Sequence, residues 1–185
     1  MPEIRPADAA YYEIRIPLLS QGDIFREVPL AYPVPGQIVE EQTSGGVRHF
    51  LAGPLEIGPA MLITPTCSMR AQKEPGKYAH PVRTLVPIMP IEWLLEKGLL
   101  DESKLGLARK YDGLINYMYL PQHDASGLPE SLALLYMPVT MHHDIIDGLR
   151  TTQLAVEGAR QLHRKLVWFE TSWQEPRATF DPALD

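Results

Sequence analysis

Hydrophobic residues recur with helical spacing near the carboxyl end of the chain. Between residues 155 and 173 the apolar positions lie three or four residues apart, with charged side chains between them: Ala155, Ala159, Leu162, Leu166, Phe169 and Trp173. Such a stripe forms one face of an α-helix that packs on a core. We predict a long amphipathic helix with Leu162, Leu166 and Phe169 buried. Arg160 and Lys165 are expected to face solvent, and Thr151 or Thr152 to cap the helix.

The front half of the chain alternates apolar and polar residues between turns that contain glycine or proline. This pattern predicts short strands over residues 24–30, 38–42, 47–52, 60–64 and 82–89. Gly45 and Gly46 separate the second and third runs, which is typical of a β-hairpin. Later residues predict short helices over 91–97 and 103–110, strands over 114–120 and 131–137, and an extended run over 139–149. The predicted fold class is α+β.

Composition is that of an ordinary globular chain of 185 residues, with 45% hydrophobic and 22% charged residues. We expect one domain over residues 21–173, preceded by an arm over 1–20 and followed by a tail over 174–185. The net charge of −6 argues against a nucleic-acid surface that covers the whole chain. Cys67 is the only cysteine, which excludes an internal disulfide. The first residues lack an apolar leader, so a cytoplasmic location is expected.

Two short motifs resemble those of the PemK/MazF-like family. One matches the family's opening Gly-Asp-Ile/Val strand, and the other matches its Arg-Pro turn with the apolar strand that follows: Gln21-Gly22-Asp23-Ile24-Phe25 and Gly58-Pro59-Ala60-Met61-Leu62-Ile63-Thr64. The resemblance extends over residues 21–90 and 131–173. It implies a small SH3-like β-barrel with a short helical insertion and a long C-terminal amphipathic helix. Toxins of this family cleave RNA with the Arg of that turn and a Ser or Thr on the next strand.

The chain departs from the family at the residues that would carry this chemistry. Gly58 stands where the family has its Arg, so the guanidinium that would stabilise charge developing on a phosphate is missing. Thr84 is a candidate for the strand hydroxyl. Thr66-Cys67-Ser68 occupies the place of a Cys-Asp pair in a longer-chain subgroup. We therefore predict no catalytic residues of the family type and no cofactor.

Two groups of reactive side chains have alternative interpretations. Cys67 follows an apolar strand and is either a nucleophile or, more commonly, a small buried thiol. His142-His143-Asp144, with His123-Asp124, offers zinc ligands or an acid and a base. On an extended strand His142 and Asp144 would share one face. Their spacing matches no zinc motif, so we predict a solvated strand edge without a metal.

Basic residues concentrate around the predicted helix. They are either contacts for the phosphates of RNA or DNA or a solvated helix face: Arg150, Arg160, Arg164 and Lys165.

Two functions remain open. The favoured one is a non-catalytic assembly module of a bacterial or phage multi-subunit particle, such as a head–tail connector ring, located in the cytoplasm or the virion. Protein partners, in a homo-oligomer or larger assembly, would be contacted by Tyr12, Ile14 and Ile16 of the arm and Phe180 of the tail. An alternating arm can add to the edge of a neighbour's sheet. The alternative is a toxin-like endoribonuclease with a non-standard active site, whose partner is RNA.

Overall fold

Antiparallel strand pairing organises most of this chain. The computed structural model describes residues 10–12, 18–31, 38–51, 53–69, 80–110 and 113–172. Within these ranges the strands are β1 (Asp23–Ala31), β2 (Ile38–Thr43), β3 (Gly46–Leu51), β4 (Leu55–Leu62), β5 (Val82–Pro90), β6 (Tyr117–Leu120), β7 (Ser131–Leu134), β8 (Val139–His142) and β9 (Arg150–Gln153). The α-helices are α1 (Ile91–Glu96), α2 (Leu105–Ala108), α3 (His143–Ile146) and α4 (Val156–Ser172). The α+β prediction is confirmed.

Seven strands form the main sheet, in the order β6-β7-β5-β4-β1-β9 with β8 beside β5. Leu85 of β5 pairs with both Leu62 of β4 and Val139 of β8. Strand β8 therefore lies on the edge of β5 away from β4, where β7 pairs with the carboxyl end of β5. Among the described residues the end strands β6 and β9 do not pair with each other, so this sheet is open.

Hydrophobic side chains cover both faces of the main sheet because successive residues of a strand point to opposite sides. On one face Ile24, Met61 and Val86 form a cluster with Leu162 and Leu166 of α4. The opposite face is a second cluster that includes Phe25, Leu62, Leu85 and Ile146. Leu162 and Leu166 are buried and Arg160 is exposed, as predicted, whereas Phe169 is half-buried.

Lys165 is only 2% exposed, so the prediction that it faces solvent is wrong. Residues 162, 165, 166 and 169 follow the i, i+3, i+4, i+7 spacing and share one helix face, which places Lys165 within the packed stripe. Its Nζ lies 4.8 Å from the centroid of the Trp168 ring, a cation–π contact. The long aliphatic stem of a lysine is compatible with this burial.

Two predicted boundaries around residue 150 are also wrong. Thr151 and Thr152 belong to β9 and do not cap the helix, which begins at Val156. Strand β9 forms because it pairs with β1 in the finished sheet, with Ile24 opposite Thr152. The predicted extended run over 139–149 is interrupted by α3, although the turn at residues 147–148 is present.

Residues 10–12 lie beside the junction of β9 and α4. Tyr11 pairs with Leu154, and the backbone N–H of Tyr12 donates to the carbonyl of Gln153 at 3.0 Å. The carbonyl of Ala10 accepts from Ala155 and passes close to Gly158, where a Cβ would lie only 2.7 Å from that oxygen. This short segment therefore contacts the same chain.

No helix in the described ranges has the length and apolar character that a membrane span requires.

Strands β2 and β3 form a separate two-stranded sheet, which we call the hairpin (residues 38–51), and the hairpin prediction is confirmed. The turn places Thr43 opposite Gly46, and the Thr43 hydroxyl donates to the Gly46 carbonyl at 2.7 Å. Gly46 adopts φ 122°, a value that L side chains rarely reach. From residue 38 to 49, every side chain except the half-buried Thr43 is exposed.

Candidate functional site

A bulge in β1 sets the local geometry of the region that resembles the PemK/MazF-like family. The register between β1 and β4 shifts by one residue between Phe25 and Val28, so Arg26 and Glu27 together lie opposite Pro59. Glu27 has φ 54°, which lies in the left-handed region. Among the described residues it is the one non-glycine residue with a positive φ. Bulges and strained backbone conformations cluster at functional sites. Here the bulge presents a basic and an acidic side chain to solvent.

A pocket of about 380 Å³ opens beside this bulge. Its polar lining comes from Arg26, Glu27, Ser126 and Thr151, and the Gly58-Pro59 turn forms another part of its wall. Gly58 pairs with Val28 directly after the bulge. Arg26 of β1 therefore lines the same pocket as Gly58.

Thr84, the candidate strand hydroxyl, does not line this pocket. It lies on β5, where its backbone N–H donates to Thr64 Oγ1 at 2.6 Å and its carbonyl accepts from the N–H of Ile63 at 2.9 Å. These contacts join β5 to the end of β4. In a toxin of the family, the Arg of the turn and the Ser or Thr of the strand would form one site. Here Gly58 and Thr84, at the corresponding positions, do not line one pocket.

The pocket wall also contains a serine in contact with a histidine. His123 Nδ1 and Ser126 Oγ are 2.8 Å apart, and the His123 ring stacks on Tyr11 with the centroids 4.6 Å apart. A hydroxyl bonded to an imidazole is the arrangement of an activated nucleophile. However, the backbone N–H groups of Gly127 and Leu128 donate to Asp124 and His123, so neither is available to an oxyanion. The contact is better explained as capping of one tight turn.

Asp23 of the Gly-Asp motif is a buried structural residue. Its Oδ2 accepts from the backbone N–H of Ser20 at 3.0 Å and from Arg150 Nη1 at 2.9 Å. Burial raises the pKa of Asp23, and the hydrogen bonds from Ser20 and Arg150 oppose that shift. Arg150 Nη1 also donates to the carbonyl of Leu18 at 3.0 Å. This ion pair fixes the β1–β9 edge of the main sheet.

The four basic residues predicted as nucleic-acid contacts do not form one exposed patch. Arg160 and Arg164 are exposed on α4. Arg150 is bonded to Asp23, and its side chain is only 16% exposed. Lys165 is buried. Two of the four guanidinium or ammonium groups are thus accessible to a phosphate without rearrangement.

The predicted assembly contacts of the arm and tail are described only at Tyr12. That residue is half-buried and bonded through its backbone to Gln153. Ile14, Ile16 and Phe180 lie outside the described residues.

Cys67 lies in a short 3-10 turn over Thr66–Met69 and is exposed. The interpretation as a buried thiol is therefore wrong. The strand that precedes it ends at Leu62, so the turn carries the cysteine out of the packed sheet.

His142, His143 and Asp144 are brought together where β8 ends and α3 begins. His142 Nδ1 is 3.1 Å from Asp144 Oδ2, and His143 Nδ1 is 3.0 Å from Asp144 Oδ1. The two imidazole rings lie 4.5 Å apart at an angle of 30°. In this structure the three side chains converge, although an extended strand would have placed His143 on the face opposite His142 and Asp144.

A second polar cluster, which the sequence did not reveal, ties β6 to the loop before β7. Arg109 makes a bidentate contact with Glu130, with both N–O distances 2.8 Å, and the Tyr119 hydroxyl donates to Glu130 at 2.7 Å. The hydrogen bond from Arg109 lowers the pKa of Glu130. Burial, followed by the bond to Glu130, raises the pKa of Tyr119 to about 12. These paired groups stabilise the local structure and leave no unsatisfied charge for chemistry.

The hairpin exposes three large apolar side chains on its two strands. Ile38 is 61% exposed, Val39 52% and Val47 47%. Strand β2 also carries Glu40 and Glu41, whereas β3 carries Arg48 and His49. Both outer edges of the hairpin lack a strand neighbour among the described residues. The sequence predicted this element but not its exposure. The run Ile-Val-Glu-Glu-Gln was a signal of that exposure, because it lacks the strict alternation of a strand with one buried face.

Comparison with known proteins does not identify the chain. No protein-family model matches it, and a search of the curated proteins found no significant match. The resemblance to the PemK/MazF-like family stays a prediction from the Gly22-Asp23-Ile24 and Gly58-Pro59 motifs.

Proposed function

We propose that this chain is a non-catalytic assembly module that docks onto other protein subunits through the hairpin. The observation that carries this proposal is a two-stranded sheet that has no buried face over its described residues 38–49, in which Ile38, Val39 and Val47 are about half exposed or more. An isolated two-stranded hairpin is only marginally stable in water. Apolar side chains and open strand edges on such an element are typical of an interaction surface. A partner would supply the buried area that the hairpin lacks.

Charge complementarity favours a second copy of the chain as the partner. Within the hairpin, Glu40 lies opposite His49 and Glu41 opposite Arg48. When β2 of one copy adds to the outer edge of β3 of the next, acidic residues again face basic ones. Pairing β2 with β2, or β3 with β3, would place like charges together, which is unfavourable. The resulting contact is head-to-tail and generates a ring or a filament.

The main sheet would then be the rigid block that positions the hairpin. The family likeness implies an SH3-like barrel, and in this proposal the open seven-stranded sheet is a divergent form of it. A ring-forming component of a bacterial or phage particle fits this use of the fold. Tyr12, Ile14, Ile16 and Phe180 stay predicted as additional contacts, which would add to the hairpin contact through repetition around the assembly.

Sedimentation measurements on charge variants test the proposal. Wild type is expected to form species larger than a dimer, and E40K/E41K to dissociate because all four charged positions become basic. Adding R48E/H49E to the same chain restores opposite charges and should restore self-assembly. This swapped variant should not co-assemble with wild type, since its β2 is basic and meets the basic β3. E92K/E102K, on exposed residues outside the hairpin, is the matched control. A monomeric wild type, or masses unaffected by E40K/E41K, contradicts the proposal.

A toxin-like endoribonuclease is the second candidate function, and the observation in its favour is Arg26 beside Gly58-Pro59 in one pocket. A guanidinium there would stabilise the charge that develops on a phosphate during cleavage. The test is RNA cleavage by wild type and Arg26→Ala, with Arg160→Ala as the control for general electrostatic attraction. Cleavage that is lost only in Arg26→Ala would support this candidate. Absence of cleavage by wild type would eliminate it.

A further inference from the structure

We infer that His142, His143 and Asp144 form a binding site for a divalent transition-metal ion, with zinc as the reference ion. One ligand atom from each of these side chains can be chosen so that all three lie within 4.8 Å of one another. Two imidazole nitrogens and a carboxylate oxygen are a donor set that zinc uses in proteins. The inference does not depend on the proposed assembly function.

The measured separations suit a shared ion. Ligands bound to zinc at about 2.0–2.1 Å in a tetrahedral arrangement lie about 3.3 Å from one another. The two distances from an imidazole Nδ1 to an oxygen of Asp144 are 3.1 Å and 3.0 Å. The two distances end on different oxygens of Asp144, so this carboxylate would bring the two imidazoles to one ion after side-chain rotation.

A long hydrogen bond holds the His142 ring at the start of α3. Its Nδ1 accepts from the backbone N–H of Asp144 at 3.4 Å and lies 3.1 Å from a carboxylate oxygen of the same residue. A ring nitrogen has one lone pair, so an ion bound by Nδ1 would take the place of this hydrogen bond.

The backbone around the three residues is held by the main sheet. His142 is paired with Val82 in the β5–β8 ladder, and the backbone N–H of His143 donates to the Pro81 carbonyl at 2.9 Å. The side chains of His142 and Asp144 are nevertheless 48% and 73% exposed. An ion bound there would keep open positions for water, which is the coordination of a catalytic or exchangeable zinc rather than of a closed structural site.

The prediction of no metal at this position rested on a spacing that matches no zinc motif. The strand ends at His142, and the single helical turn of α3 begins at His143. This change of backbone conformation directs both imidazoles and the carboxylate to one place. The resulting ligand set is local, and it is formed by three consecutive residues.

Zinc titration of tag-free, chelator-stripped protein against a chromophoric zinc chelator tests the inference. We expect one zinc per chain, bound about tenfold or more weakly in His142→Ala and in Asp144→Asn. His163→Ala, which removes an exposed histidine of α4, is the matched control and should leave the affinity unchanged. Circular dichroism of each variant verifies the fold.

A second readout separates specific coordination from weak surface attraction. Cobalt(II) bound at the site should produce visible d–d absorption bands that are absent in His142→Ala and retained in His163→Ala. Equal losses of zinc binding in His142→Ala and His163→Ala would overturn the inference. So would zinc binding that is undetectable at a tenfold molar excess of zinc over protein.

Discussion

The main sheet and the hairpin are built from the same backbone pairing but differ in what covers their faces. In the main sheet, β1, β4 and β5 are flanked by strands and bury side chains in clusters on both faces. In the hairpin, β2 and β3 pair over six residues each, yet their described side chains reach solvent on both sides. Backbone hydrogen bonds exchange for those with water and contribute little net stability. The difference in stability therefore comes from side-chain burial. The main sheet buries its side chains within the chain, whereas the hairpin would bury them against a partner.

The strongest test of this comparison is removal of the Arg150 side chain at the edge of the main sheet. Arg150→Met leaves the carboxylate of Asp23 buried without its charged partner, which should lower the free energy of unfolding by about 3 kcal/mol. Arg160→Met, at an exposed pair with Glu157, should change it by less than about 0.5 kcal/mol. Urea denaturation measures both. An unchanged free energy of unfolding in Arg150→Met would mean that this edge does not stabilise the sheet.

The same pair gives a dependence on pH. Because burial raises the pKa of Asp23, the folded state keeps its proton at pH values where the unfolded chain has lost it. The contribution of Asp23 to stability is therefore greatest below the unfolded pKa of about 4 and falls as the pH rises through the raised folded pKa. Arg150→Met raises that pKa further, so its destabilisation should be smaller at pH 4.5 than at pH 7.5. Denaturation curves at both values with equal losses would contradict this.

Truncation of Leu162 comes next in expected size. This side chain is fully buried against the main sheet, so Leu162→Ala should cost about 2–5 kcal/mol through lost burial and the cavity that remains. Leu166→Ala should fall at the lower end of that range because Leu166 retains 9% exposure. Thermal and urea denaturation measure the loss. Wild-type stability in either variant would show that α4 is not a principal packing element.

The smallest effect on stability is expected in the hairpin. Val39→Ser should change the free energy of unfolding of the dissociated chain by less than about 0.5 kcal/mol, since the side chain is already exposed. The same substitution should reduce the sedimentation mass at a given concentration. Thr43→Ser, near the turn, is a control that keeps the hydroxyl bonded to Gly46. A loss above 1 kcal/mol in Val39→Ser would show that the hairpin packs on its own chain.

The sequence predicted the elements whose signals are local. The stripe from Leu162 to Phe169 located α4, and the turn residues Gly45 and Gly46 located the hairpin. These features depend on residues that are close together in the chain, so short patterns are sufficient to find them.

Features that depend on distant residues were missed. Strand β9 exists because β1 is available to pair with it, and Arg150 is paired because Asp23 is buried at that edge. The helix α3 is only four residues long, too short to produce a periodic signal. The convergence of His142, His143 and Asp144 follows from this single turn of helix. Whether a sheet closes into a barrel is likewise set by strand order, which a single sequence does not reveal.

The position of β1 in the main sheet has a consequence for how the chain folds as it is synthesised. Strand β1 leaves the ribosome early and finds β4 within the next few dozen residues, but its other neighbour, β9, brings Arg150 to Asp23 across 127 residues. Contacts between such distant segments are slow to form, because a long loop must close first. Until then one edge of a central strand is open to other nascent chains. A chain ending before residue 150 would therefore be aggregation-prone, and late chain completion would set the pace of productive folding.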